Sequence, residues 1–359
     1  MPRRHVALAV LVTVIWGANF VVIDEGLGDI PPTLFVAMRF VVVLIPAIFL
    51  VPRPAMPWRD VVTIGAFMSL GQFGLLYTGL AVGMPAGLAS LVLQAQVVAT
   101  VIIASLVLHE RPSRTQVIGV GIGLLGLVVV GVGRSAATAA LGLLFVIAAA
   151  LSWAIGNVAA RRAAAHTPPT ASRSGGLAAG LSLTVWSATV VPLPLFALSL
   201  ALDGPEAVVH ALTHPTVPAV LSTIYTAWLA SLVGYGIWNT LLAHHPAAAV
   251  VPFTMLVPVV GLTTAWLVQG EVPNGWESVG GALLTSLTAG RAGWHDLGAR
   301  LGRWRVGLGW YGIALFTVSA VTLVILLGLS VLVYPDFRPG FNILGVVVGL
   351  MAGFFEELG

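Results

Sequence analysis

Apolar residues in this chain come in long blocks separated by short breaks of charge, proline and glycine. The blocks read as residues 6–23, 31–51, 61–83, 86–108, 115–133, 139–160, 178–202, 217–241, 247–268 and 275–289, with two more at 308–334 and 341–355. A helix that crosses a bilayer needs about 20 mainly apolar residues, and most of these blocks have that length. Strands of a membrane barrel would be about ten residues long and would alternate in polarity, so the pattern predicts helices. The block at 275–289 is the weakest, because Thr285, Ser286 and Thr288 fall in its second half.

Composition agrees with the pattern. Of 359 residues, 58% are hydrophobic and only 8% charged, whereas soluble domains carry roughly 25% charged side chains. Mean hydropathy is +1.02 over the whole chain, which excludes a soluble enzyme with a single apolar anchor. The 16 basic residues are all arginine and are spread thinly, so no basic stripe exists for nucleic acid despite a pI near 9.8. Cysteine is absent, which removes disulfides, thiolate metal sites and cysteine nucleophiles. No cofactor or metal is expected. The expected partners are a small-molecule substrate and the lipid bilayer.

The arginines set an orientation. Arg3, Arg4, Arg53, Arg59, Arg111, Arg114, Arg161, Arg162, Arg173, Arg291, Arg300, Arg303 and Arg305 fall in connections that share one side if the spans alternate. Asp24, Glu25, Asp29, Asp203 and Glu206 fall on the other side, with Arg134 and Arg338 as the basic exceptions. The positive-inside rule therefore predicts a multi-pass protein of the cytoplasmic membrane with its N-terminus in the cytoplasm. The first apolar block lacks a small-residue cleavage site and continues into Trp16-Gly17-Ala18-Asn19, which argues against a cleavable signal peptide.

The chain also repeats itself. Pro85 to Glu110 and Pro246 to Glu271 both span 25 positions, open on Pro-Ala and close on Glu followed by X-Pro. Trp16 and Asn19 in the first span are echoed by Trp153 and Asn157 in the sixth. The unit is five helices, and an odd number makes two successive copies face opposite ways across the membrane. Such inverted repeats suit alternating access, since exchanging the conformations of the two halves moves the opening from one side to the other.

The five-plus-five plan, the Trp-Gly-Ala-Asn of the first span and the repeated helix ending in Glu110-Arg111-Pro112 resemble the EamA-type drug/metabolite transporters. Residues 71–96, 151–162 and 234–261 are similar to the O-acetylserine/cysteine exporter subgroup, and the resemblance covers about residues 5–284. It implies an all-α bundle of ten helices, with repeats at 1–135 and 136–288. It further implies secondary export of small metabolites, amino acids of the cysteine pathway among them, with no ATPase domain.

Polar groups are costly in hydrocarbon, so the few within the spans are candidates for a site. Asn19, beside Trp16, and Asn157, four residues after Trp153, offer donors and acceptors suited to an amino-acid-like ligand; each could instead only tie helices together. Gln72, Gln94 and Gln96 follow. On one continuous helix Gln94 and Gln96 point about 200° apart, and Gln94 is placed toward the centre with Gln96 against a neighbour. Tyr235 and Trp238 share a face of the eighth span. Arg39 lies deep in the second span and serves either structure or attraction of a substrate carboxylate. Pro252 and Pro258 mark a candidate gating hinge, and the Gly119–Gly126 run of the fifth span suits close packing. Glu110 and Glu271 read as symmetry-related caps of the Gly-rich helices that follow them.

After residue 288 the text changes. Residues 291–320 and the closing Gly-Phe-Phe-Glu-Glu-Leu-Gly resemble the start of a CPBP-type (CAAX-protease-like) intramembrane protease. In that family the paired glutamates, here Glu356 and Glu357, act with an arginine and with histidines on later helices. Those partners are missing from this chain, so the segment 289–359 reads as an incomplete fragment, and a carrier rather than an enzyme is expected. A glutamate protease, or a docking or anchoring role for the tail, is the alternative.

Overall fold

The computed structural model describes residues 1–28, 30–109, 112, 114–133, 140–166, 177–245, 250, 253–254, 256–273, 275–276 and 279. All of these belong to the first of two compact units, Met1–Thr288. The expected spans at 308–334 and 341–355, Glu356, Glu357, Glu110, Pro252 and most of the expected span 275–289 lie outside the described residues.

Every regular element among the described residues is helical: α1 (Arg3–Leu27), α2 (Pro32–Leu50), α3 (Trp58–Ala81), α4 (Ala86–Val107), α5 (Arg114–Gly133) and α6 (Ala140–His166). There follow α7 (Leu177–Ala188), α8 (Pro192–Leu202), α9 (Gly204–Thr213), α10 (Val217–Leu242) and α11 (Leu256–Gln269). Helices satisfy their backbone groups internally, which is the condition for crossing hydrocarbon. Seven stretches are long and apolar enough to do so: α1, α2, α3, α4, α6, Leu181–Leu202 and α10. The ninth expected span appears as the shorter Leu256–Gln269, and the fifth has its apolar stretch at Val117–Val130.

Several helices are interrupted where the sequence predicts continuity. Pro46 disfavours helical geometry at the residue before it, and Ile45 takes φ −101° and ψ 116° within α2. The expected single span 178–202 breaks after Ala188 and resumes at Pro192, a proline suited to a first turn. The connection after it is not a plain loop. It holds α9, which starts on Gly204-Pro205 with Glu206 in its first turn.

Three further irregularities occur in pairs. α3 has a π-helical stretch at Ala66–Gly71, and α10 has one at Tyr225–Val233. α4 breaks at Leu93–Gln94 and resumes at Ala95, while α11 begins at Leu256. His109 and Gly270 both take left-handed backbone, φ 55° and 70°. In the frame that matches Pro85 with Pro246 and Glu110 with Glu271, each member of a pair falls opposite the other.

Packing follows the same exchange. α1 lies against α10 and α11, whereas α6 lies against α3 and α4. Both crossings are close. A Cβ at Gly156 of α6 would meet the backbone nitrogen and Cα of Met68 at 2.9 and 3.0 Å, and one at Gly17 of α1 would meet the Val257 carbonyl oxygen at 2.8 Å. Small residues at such points let helix backbones approach in a bilayer. The main apolar core runs from Phe20 and Val21 through Phe35, Leu76 and Leu91 to Val146 and Ala149, and a smaller one joins Ala9, Val12, Trp238, Leu241 and Val250.

Candidate substrate site

The π-helical stretches carry the first contacts between the two sets of helices. A carbonyl oxygen has two lone pairs and can accept a second bond beside its helical one. The Ala230 carbonyl accepts from Trp16 Nε1 at 2.9 Å, and the Phe67 carbonyl accepts from Ser152 Oγ at 2.7 Å. Tyr225 Oη donates to the Ile15 carbonyl at 2.8 Å. The first helix of each set is thus tied to a widened turn in the other.

Trp16 also gathers the aromatic residues expected from the eighth span. Its ring centroid is 5.1 Å from Tyr235 and 5.3 Å from Trp238, both tilted. Asn19 lies one turn along α1, buried, and its Oδ1 accepts no hydrogen bond. Gln72, directly after the π-helical stretch of α3, is buried with Oε1 unpartnered. Such groups are rare in folded interiors, since an unmade bond in low dielectric is expensive.

Arg39 is the most buried charge among the described residues, 2% exposed. Its Nη1 donates to Tyr77 Oη and its Nη2 to Ser231 Oγ, both at 3.1 Å, and its Cζ sits 4.1 Å from the centroid of the Phe73 ring. Two hydroxyls and an aromatic face are thus its neighbours. Tyr77, Phe73 and Ser231 were missed because each is ordinary in its own span, and Ser231 is 192 positions away.

The glutamines and Asn157 divide differently. The 200° separation of Gln94 and Gln96 does not apply, because α4 breaks at Leu93–Gln94. Gln94 Nε2 donates to the Thr254 carbonyl at 3.2 Å, just before α11, so the two interrupted helices meet there. Gln96 Oε1 accepts from Asn157 Nδ2 at 3.0 Å, as expected for a residue meeting a neighbouring helix. Asn157 thereby links α6 to α4 through Nδ2, and Trp153 packs on the main core. A double-mutant cycle with Asn157→Ala and Gln96→Ala should give a coupling energy of about 1 kcal/mol in thermal unfolding. Additive effects of the two substitutions would show that the pair is not formed.

Pro258 is buried in the first turn of α11, where a backbone N–H has no intrahelical partner to lose. It therefore stands at the start of α11 and not in its interior.

Each end of the bundle is tied across α1. At one end Gln269 donates from Nε2 to Asp24 Oδ2 at 2.6 Å and to Glu25 Oε1 at 3.0 Å. Beside it the Glu271 carboxylate accepts from the backbone nitrogens of Ala86 and Gly87, both at 3.0 Å. Glu271 therefore caps α4, a helix 185 positions back that the sequence did not point to. At the other end His5 Nδ1 and His245 Nε2 are hydrogen-bonded.

The comparisons with known proteins fit this architecture. The profile of the EamA-like transporter family matches residues 3–132 and 140–288. A protein of Escherichia coli named "Probable amino-acid metabolite efflux pump" is 39% identical over 286 residues, covering 79% of this chain and 93% of its own. One of the same name from Salmonella typhimurium is 40% identical over the same shares. A "Probable terminal-alkyne amino-acid exporter" of Streptantibioticus cattleyicolor is 32% identical over 202 residues, 56% of this chain and 62% of its own. A solved crystal structure covering 80% of the chain and 97% of its own superposes with a TM-score of 0.50 at 21% identity, a likeness of fold alone. The family match ends at residue 288, so the resemblance of the tail to CPBP-type proteases gains no support from it. This multi-pass membrane chain belongs to the EamA-like transporter family, a family of carriers and not of enzymes.

Proposed function

We propose that the protein exports small amino-acid metabolites, those of the cysteine pathway among them, across the cytoplasmic membrane by alternating access. Two inverted five-helix repeats, residues 1–135 and 136–288, are the moving halves, with the N-terminus in the cytoplasm. The observation that carries this reading is the exchanged packing, α1 on α10 and α11 and α6 on α3 and α4, together with the paired π-helical turns and paired helix interruptions. Carriers of this kind bind substrate at the repeat interface beside discontinuous helices. Trp16, Asn19, Gln72, Gln94, Tyr235 and Trp238 surround that interface here. Trp153 and Asn157 hold α6 in place beside it. The relatives named as amino-acid metabolite pumps support the substrate class.

The contacts at the two ends, Gln269 with Asp24 and His5 with His245, are then the closures that open in turn. The segment 289–359 is an appended piece that the carrier does not need. Cells expressing the protein should release more cysteine-pathway amino acids into the medium and tolerate higher internal loads, and a chain ending at 288 should do the same. Unchanged release over a panel of amino acids would contradict the reading.

A further inference from the structure

A guanidinium stays protonated in any protein setting, so Arg39 holds a full positive charge deep inside an apolar helix. Its partners are neutral. Among the described residues no carboxylate pairs with it: Asp24 and Glu25 lie near the end of α1, Asp60 in the first turn of α3, Asp203 and Glu206 around α9, and Glu271 beyond α11. Charges within membrane helices are seldom kept without a pathway or ligand to serve.

The geometry of the donors is specific. Nη1 is held by Tyr77, from the same repeat as Arg39. Nη2 is held by Ser231, from the other repeat, and Nε, on the same edge of the guanidinium as Nη2, is buried with no acceptor at all. An Nε–Nη2 edge is one of the forks that takes a carboxylate through two parallel bonds. Only one hydroxyl stands on it now. Ser231 Oγ also has a second use, donating to the Thr226 carbonyl at 2.8 Å, so it loses little when it leaves the fork. Asn19, one turn from Trp16, and Gln72, next to the Phe73 ring that faces the guanidinium, each hold a buried amide oxygen without a donor. A cationic fork lacking its anion is complementary to a carboxylate.

We propose that Arg39 is the anchor for the α-carboxylate of an amino-acid substrate, which displaces Ser231 from the Nε–Nη2 edge. This rests on the exporter reading and names the feature of the substrate that the site reads. Because Arg39 and Tyr77 belong to one half and Ser231 to the other, substrate entry breaks a bond between the halves at the step where they must move.

The test uses the full chain in proteoliposomes, with L-serine and L-cysteine compared with their carboxamides as competitors of labelled amino-acid exchange. The native protein should favour each free acid over its amide by about 10- to 100-fold, the span of a hydrogen-bonded charge interaction. Arg39→Met should lower that ratio to near one, and Arg39→Lys should leave an intermediate ratio, since a point charge keeps attraction but loses the fork. A purely structural arginine would depress acid and amide alike and leave the ratio unchanged, which would overturn the proposal. If Arg39→Met does not fold, the native ratio and the Lys variant still decide. Equal handling of acid and amide by the native protein overturns the proposal alone; transport of neither overturns the exporter reading for these amino acids as well.

Discussion

Gly156→Leu will give little folded protein, whereas Gly121→Leu will express and melt like the native chain. The two glycines sit in apolar helices and look equivalent in the sequence, but a Cβ at Gly156 would stand 2.8 Å from Met68 Cβ and nearly as close to its backbone, while nothing lies within 4 Å of one at Gly121. Overpacking costs about 1–3 kcal/mol where flexible side chains can yield. Here the obstacle includes backbone, so α6 must move away from the π-helical stretch of α3, and the Ser152 bond to Phe67 and the Asn157 bond to Gln96 go with it. The readouts are the yield of monodisperse protein in detergent and its thermal midpoint. Equal values for the two variants would mean that α6 and α3 do not cross at Gly156.

Glu271→Ala will destabilise the bundle by about 1–3 kcal/mol, the cost of leaving buried donors unpaired. The first N–H groups of a helix have no intrahelical acceptor, and those of Ala86 and Gly87, both buried, are met by the two oxygens of this carboxylate. Glu271→Gln keeps one acceptor oxygen and should fall between the native and alanine proteins. The contact joins the chain after α11 to the start of α4, so exchange of amino acids in vesicles should also fall several-fold in the alanine variant. Native stability in Glu271→Ala would show that water or another group already serves those two donors.

The long apolar runs made the helices legible, since hydrocarbon demands them, and the Pro-Ala to Glu frame made the duplication legible. Trp16, Asn19, Tyr235 and Trp238 stood out because amides and aromatics are conspicuous on apolar faces. What stayed hidden was set by tertiary context. Nothing in Leu93-Gln94 announces a helix break, for neither proline nor glycine is present, and the π-helical turns depend on partners such as Ser152 and Trp16 from distant spans. The bond of Asn157 to Gln96, 61 positions away, was hidden in the same way. The target of Glu271, 185 positions back, was hidden for the same reason, and the sequence assigned it the nearer helix.

We propose a carrier that opens to each side in turn around a bound amino-acid metabolite. Counterflow in proteoliposomes tests it most directly: vesicles preloaded with unlabelled L-serine or L-cysteine are placed in a trace of the labelled compound. Label should accumulate transiently inside, above its outside level and with no added energy source, because a carrier that returns loaded exchanges one molecule for another. Label that never exceeds its level in protein-free vesicles, for these and the other amino acids, would contradict it.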